Sequence, residues 1–158
     1  MATRTGFKKG FKQGLYEPKY PDKWVITEAF DMKERGIKYR SSWELKFCRF
    51  ADFNPDIIKV NSEGVVIPYM NPVRGKVSKY YMDFVIQTKS TVFLVEVKPL
   101  KDVNPPKPPK AKTEKGMQNY AKAIETFAVN QAKWEAAEKF AAQKGWKFKI
   151  ITERELGL

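Results

Sequence analysis

Between positions 41 and 53 apolar residues recur at helical spacing, with Trp43, Phe47 and Phe50 at i, i+4 and i+7 behind a capping Ser41. This predicts a first helix from Ser41 to about Phe53, stopped by Asn54-Pro55. Alternation then takes over. Ile57 to Val60 and Val65 to Tyr69 read as a strand or hairpin turning through Ser62-Glu63-Gly64, and Asn71-Pro72 with Arg74-Gly75-Lys76 as a basic loop. Tyr80 to Gln87 and Thr91 to Val97 are β-rich runs separated by Thr88, Lys89 and Ser90, which predicts neighbouring antiparallel strands. Each carries apolar residues on both faces: Met82, Phe84 and Ile86 against Tyr81 and Val85 in the first, and Phe93, Val95 and Val97 against Val92 and Leu94 in the second. Such strands belong in the middle of a sheet covered on both sides.

Five of the 10 prolines fall between Pro99 and Pro109, which predicts a stiff, partly polyproline, basic loop through to about residue 115. A long helix follows from about Lys115 to Lys144, with Tyr120, Ile124, Phe127, Trp134 and Ala141 along one stripe and Gly145 as its stop. Trp146 to Thr152 closes the pattern as a strand. The expected fold is α/β, a mixed sheet of about four strands flanked by the two helices. Residues 1–38 show little periodicity but interleave lysines and arginines with Phe7, Phe11, Tyr16, Tyr20 and Trp24, so we read an extended basic arm before a domain at 39–158. Its aromatics could be pinned to the core, or the arm could contact DNA.

Length and charge narrow the function. A chain of 158 residues is one domain's worth. Thirty basic against 18 acidic residues leave a net charge of +12. Such a field favours a polyanion, nucleic acid before an anionic membrane. The chain has no histidine, which removes Ser-His-Asp, Cys-His and His-metal catalysis together. The single cysteine, Cys48, allows no internal disulfide. Without an apolar leader or a long apolar run, the expectation is a soluble cytosolic protein.

Chemistry must then run on carboxylates, lysine and a metal. If Lys89-Ser90 is a two-residue turn, paired residue numbers sum to 179 and Asp83 faces Glu96, with Cβ atoms about 4.5 to 5.5 Å apart. Lys98 projects from the same face as Glu96. Two close carboxylates repel, so one pKa rises unless a cation sits between them, and Mg²⁺ is the natural occupant. Acid-x-Lys tripeptides also occur at Glu17, Asp31 and Glu44, but only Glu96-Val97-Lys98 ends an apolar strand with an opposed aspartate. The competing reading is a cross-strand ion pair at a sheet end. Glu44 is a third acid that also completes a capping box with Ser41. Gln131 interrupts the helical stripe, facing either the metal site or the stripe's edge.

These residues resemble the PD-(D/E)xK nuclease superfamily. The match rests on Glu44 in a helix, Asp83 in Tyr81-Met82-Asp83-Phe84, Phe93-Leu94-Val95-Glu96-Val97-Lys98-Pro99, Lys133-Trp134-x-x-Ala137 and Ile150-Ile151-Thr152-Glu153. Within that superfamily the pattern is most similar to the head completion nucleases of T-even-like phages, themselves similar to TnsA-type endonucleases. It departs in one place, where Met82 precedes Asp83 instead of proline. The resemblance implies a restriction-endonuclease-like core and a DNA endonuclease acting in packaging and head completion, with Mg²⁺ as cofactor and Mn²⁺ as a substitute. It implies Asp83, Glu96 and Val97 as the metal set, with Glu44, Lys98 and Gln131 completing the catalytic group. It further implies portal or neck partners, a homodimer, and a place in the host cytoplasm during assembly and on the virion. Lys8, Lys9, Lys12, Arg74, Lys76, Lys101, Lys107 and Lys110 are the candidate DNA contacts. The alternative is a non-enzymatic DNA-binding or portal-connector protein.

Overall fold

The structure, a computed structural model, describes residues 13–25, 27, 30–31 and 36–156. Lys8, Lys9 and Lys12 lie outside them. Strands β1 (Gly14–Tyr16), β2 (Phe30–Asp31) and β3 (Gly36–Tyr39) form a small antiparallel sheet in the order β1-β3-β2. Helix α1 (Ser42–Phe53) opens where the Ser41 side chain accepts from the Glu44 N–H. After it come β4 (Ile57–Ser62), β5 (Val66–Asn71), β6 (Lys76–Tyr81), β7 (Phe84–Thr88) and β8 (Val92–Val97). The short α2 (Leu100–Val103), the 31-residue α3 (Glu114–Lys144) and β9 (Lys147–Ile151) complete the chain. Gly145 ends α3 in the left-handed region at φ 71°, where glycine has no Cβ penalty.

The central sheet is mixed, in the order β4-β7-β8-β9 with only β8 and β9 parallel. Both faces are covered, as the two-sided apolar strands require. On one face Phe84, Ile86, Val95 and Val97 pack with Phe47, Cys48 and Ala51 of α1. On the other, Val85 and Leu94 pack with Trp134, Ala137 and Ala141 of α3 and with Ile67, Tyr69 and Tyr80 of the β5–β6 ribbon. The α/β architecture read from the pattern is the one present.

The expected hairpin between 57–60 and 65–69 is not formed. β4 pairs with β7, and β5 pairs with β6 in a separate two-stranded ribbon. The pattern missed β6 because Lys76 and Lys79 break its apolar alternation. The run expected from Tyr80 to Gln87 is likewise two strands, interrupted at Met82-Asp83, where the chain passes from ribbon to sheet. On α1 the buried stripe is Glu44, Phe47, Cys48 and Ala51, while Phe50 faces outward. The polyproline stretch after Pro99 starts with a single helical turn, α2.

Candidate active site

The turn at Lys89-Ser90 sets the register that its length dictates. Phe84 faces Val95, Val85 faces Leu94, Ile86 faces Phe93 and Gln87 faces Val92. Every pair sums to 179, but the ladder stops one residue before Asp83 and Glu96. Continued, this antiparallel register would give the Val97 N–H to the Met82 carbonyl. The chain has turned away there, and Asp83 Oδ2 accepts from Val97 N–H at 2.9 Å instead. The Asp83 carboxylate is thereby a side-chain end to the ladder, 5% exposed.

Glu96 is 8% exposed on the α3 side of β8. Its Oε2 accepts from the Tyr80 hydroxyl at 2.6 Å, and its Oε1 lies 3.9 Å from Lys98 Nζ. A cation and a strong donor thus compensate this buried carboxylate. The Lys98 backbone is held as well, since its N–H donates to Ile151 O at 2.9 Å. Leu100 N–H, at the start of α2, donates to Glu153. The chain on both sides of the Lys98 Cα is therefore pinned, which limits where its ammonium can go.

Glu96 and Lys98 line an open cleft of about 1020 Å³ between the ribbon, α2 and α3. Arg74, Lys79, Lys101 and Lys133 bring further positive charge to its walls. Lys133 Nζ sits 5.8 Å and 5.5 Å from the ring centres of Tyr69 and Tyr80, over electron-rich faces. Of the candidate DNA contacts, Arg74 and Lys101 line the cleft, whereas Lys76, Lys107 and Lys110 are exposed outside its lining.

Asp83, Val97, Glu44 and Gln131 do not line this cleft. Glu44 is buried at the first turn of α1, where its Oε2 accepts from Arg40 N–H at 2.7 Å. The capping box expected with the Ser41 amide is shifted one residue back. Gln131 is exposed, and the buried polar side chain of α3 that lines the cleft is its neighbour Asn130. One residue is a rotation of about 100° on a helix. Asn130 lies 4, 7 and 11 residues before Trp134, Ala137 and Ala141, on the face of α3 whose packing against the sheet sets that rotation. Tyr80 is the other site residue sequence reasoning passed over, for it read simply as a strand aromatic.

Among the described residues no three His, Cys, Asp or Glu side chains gather into a metal-holding group. What the sheet end supplies is two buried carboxylates, Asp83 and Glu96, tied to adjacent points of β8. An all-oxygen pair of this kind suits Mg²⁺, which is commonly held by one or two carboxylates with water completing the shell. Cys48 takes no part: burial pushes its thiol pKa up, and the charges of Glu44 and Asp52 push it further. No helix among the described residues is long and apolar enough to cross a membrane.

Residues 54–153, which carry Asp83, Glu96, Lys98 and both walls of the cleft, match the family of TnsA-like endonuclease N-terminal domains. The chain is also 40% identical over 139 residues to the head completion nuclease of Enterobacteria phage T4, covering 85% of this chain and 91% of that protein. By the match over most of its sheet and by this overall likeness, the chain belongs to the TnsA-like endonuclease family.

Proposed function

We propose that the chain is a divalent-metal-dependent endodeoxyribonuclease of the PD-(D/E)xK type, hydrolysing phosphodiester bonds of DNA during phage head completion. The observation that carries this reading is the Glu96–Lys98 pair, 3.9 Å apart at a pinned strand end and opening into a basic cleft. Asp83 and Glu96 hold Mg²⁺, or Mn²⁺ in its place, through their carboxylates, and Val97 can contribute only its carbonyl. When bound, such an ion neutralises charge developing at phosphate and lowers the pKa of water. Lys98 orients the attacking water and balances negative charge at the phosphoryl group. Tyr80 holds Glu96 by Oε2, so the carboxylate keeps one orientation. Glu44 serves as the helix-borne acid, and Asn130 is better placed than Gln131 to touch a substrate in the cleft. Arg74 and Lys101 receive the DNA backbone there, with Lys76, Lys107, Lys110 and the arm lysines Lys8, Lys9 and Lys12 adding electrostatic affinity.

The relative's name supports a role in completing heads, which brings portal or neck proteins, a second copy of the chain, the host cytoplasm and the virion into the same proposal. The rival is a DNA-binding connector without activity, favoured by the exposed Met70, Val73 and Val77 on the ribbon beside the cleft. Plasmid, branched and single-stranded DNA incubated with Mg²⁺ or Mn²⁺, beside a Lys98→Ala control, separates the two. Metal-dependent cleavage lost in the control supports the nuclease. Intact DNA in every form supports the connector.

A further inference from the structure

Glu63 has a backbone φ of 54°, the only non-glycine residue in the left-handed region among the described residues. Its neighbour Gly64 would take that conformation at less cost, so the choice of position needs a reason. Part of it is packing. A Cβ on Gly64 would meet Asn61 Oδ1 at 2.9 Å and Thr27 Cγ2 at 3.0 Å, so glycine is spent there on close approach. The rest is what Glu63 holds. Its N–H donates to the Asp83 carbonyl at 3.1 Å, on the residue where the chain leaves the ribbon for the sheet. Its carboxylate takes the Arg40 guanidinium as a fork, with Nε at 2.9 Å and Nη2 at 3.5 Å, both side chains largely buried. The Arg40 backbone N–H is in turn the donor to Glu44 Oε2.

A continuous chain of direct bonds therefore runs from the Glu44 carboxylate through Arg40 and Glu63 to Asp83, and from the Asp83 carboxylate to Val97 of β8. It joins three elements far apart in sequence. We propose that Arg40 and Glu63 are positioning residues, a strained relay that fixes the Asp83 carboxylate against β8 and holds Glu44 in register with it. The strain at Glu63 persists because the fork and the Asp83 bond over-determine the loop. The inference rests on the nuclease reading for the roles of Asp83 and Glu44, and it assigns new function only to Arg40 and Glu63.

The test uses the full-length chain and three readouts: thermal unfolding, Mn²⁺ affinity by calorimetry, and cleavage rate at saturating Mn²⁺. Glu63→Gly removes the fork while glycine accepts the positive φ. It should melt below the wild-type temperature, because the largely buried Arg40 guanidinium loses its Glu63 partner, and at temperatures where it is fully folded it should bind Mn²⁺ roughly 10-fold more weakly. Glu63→Gln keeps an acceptor and should recover part of that loss. Arg40→Lys keeps charge without the fork and should resemble Glu63→Gly. The double variant Arg40→Lys/Glu63→Gly should be no worse than either single change, because both cut the same relay. Unchanged Mn²⁺ affinity in Glu63→Gly, or additive losses in the double variant, overturns the relay while leaving the nuclease intact. A wild-type chain that neither binds Mn²⁺ nor cuts DNA overturns both.

Discussion

Asp52 at the end of α1 and Glu96 at the end of β8 are both acids with less than a tenth of their surface exposed, at 1% and 8%. They are satisfied in opposite ways. Asp52 accepts from the Tyr16 hydroxyl, the Lys19 and Tyr20 N–H groups and Trp24 Nε1, all from one short segment of its own chain. Lys23 Nζ closes the same junction by donating to the carbonyls of Ala51, Asp52 and Asn54. Burial alone would push the Asp52 carboxyl pKa up, but the bonds from Tyr16, Lys19, Trp24 and Tyr20 outweigh it and hold the group below the usual carboxylate range. Glu96 takes the Lys98 ammonium and the Tyr80 hydroxyl, and it borders an open cleft. A carboxylate ringed by neutral donors of its own chain is an anchor. One balanced by a cation at the wall of an open cleft is, on the proposed nuclease reading, a tool.

The largest effects should fall on the tool. Lys98→Ala should lower the cleavage rate by about 10² to 10⁴-fold with the fold and Mn²⁺ binding retained, as single-turnover kinetics and calorimetry would show. Asp83→Ala should lose metal binding itself. Equal Mn²⁺ affinity in that variant and the wild type would remove Asp83 from the ligand set.

Next in size is the anchor. Asp52→Ala strands the Trp24 indole N–H and three further donors, and should cost roughly 3 kcal/mol in urea unfolding while sparing cleavage well below the melting temperature. The pH dependence has a definite sign. Because the folded pKa of Asp52 is depressed, its stabilisation is complete above the unfolded value near 4 and fades as pH falls through the folded one. Wild type and Asp52→Asn should therefore converge in stability on acidification. A gap that widens below pH 4 would contradict the anchor reading.

Tyr80→Phe sharpens the contrast, since it deletes one donor to Glu96 and keeps the ring beneath Lys133. The Mn²⁺ concentration for half-maximal cleavage should rise roughly 10-fold with little change in melting temperature. The smallest effects belong to the cleft walls and arm. Arg74→Ala, Lys101→Ala, and neutralisation of Lys8, Lys9 or Lys12, should each change the slope of log affinity against log salt by about 0.9 on duplex DNA, alike for unrelated sequences. An effect confined to one sequence would mean base contact instead.

Local chemistry made much of this molecule readable from its sequence. The two-residue turn and the alternation around it determine the β7–β8 register, and with it the neighbourhood of Asp83, Glu96 and Lys98. Ser41 and Gly145 mark helix ends because capping is satisfied within a few residues. The absence of histidine narrowed the catalytic groups before any geometry was known. Other features depend on partners distant in sequence. The break at Met82-Asp83 exists because the ribbon leaves the central sheet, and no periodicity within residues 80–87 records that departure. Asn130 instead of Gln131 meets the cleft because the packing of Trp134, Ala137 and Ala141 sets the rotation of α3. Arg40 and Glu63 stand 23 residues apart and read separately as ordinary surface charges. Only the tertiary fold, which buries both at the junction of α1 and the sheet, turns them into a fork. Sequence determines what each short segment can satisfy by itself; the folded chain decides which of the remaining polar groups meet, because burial leaves them no water to bind instead.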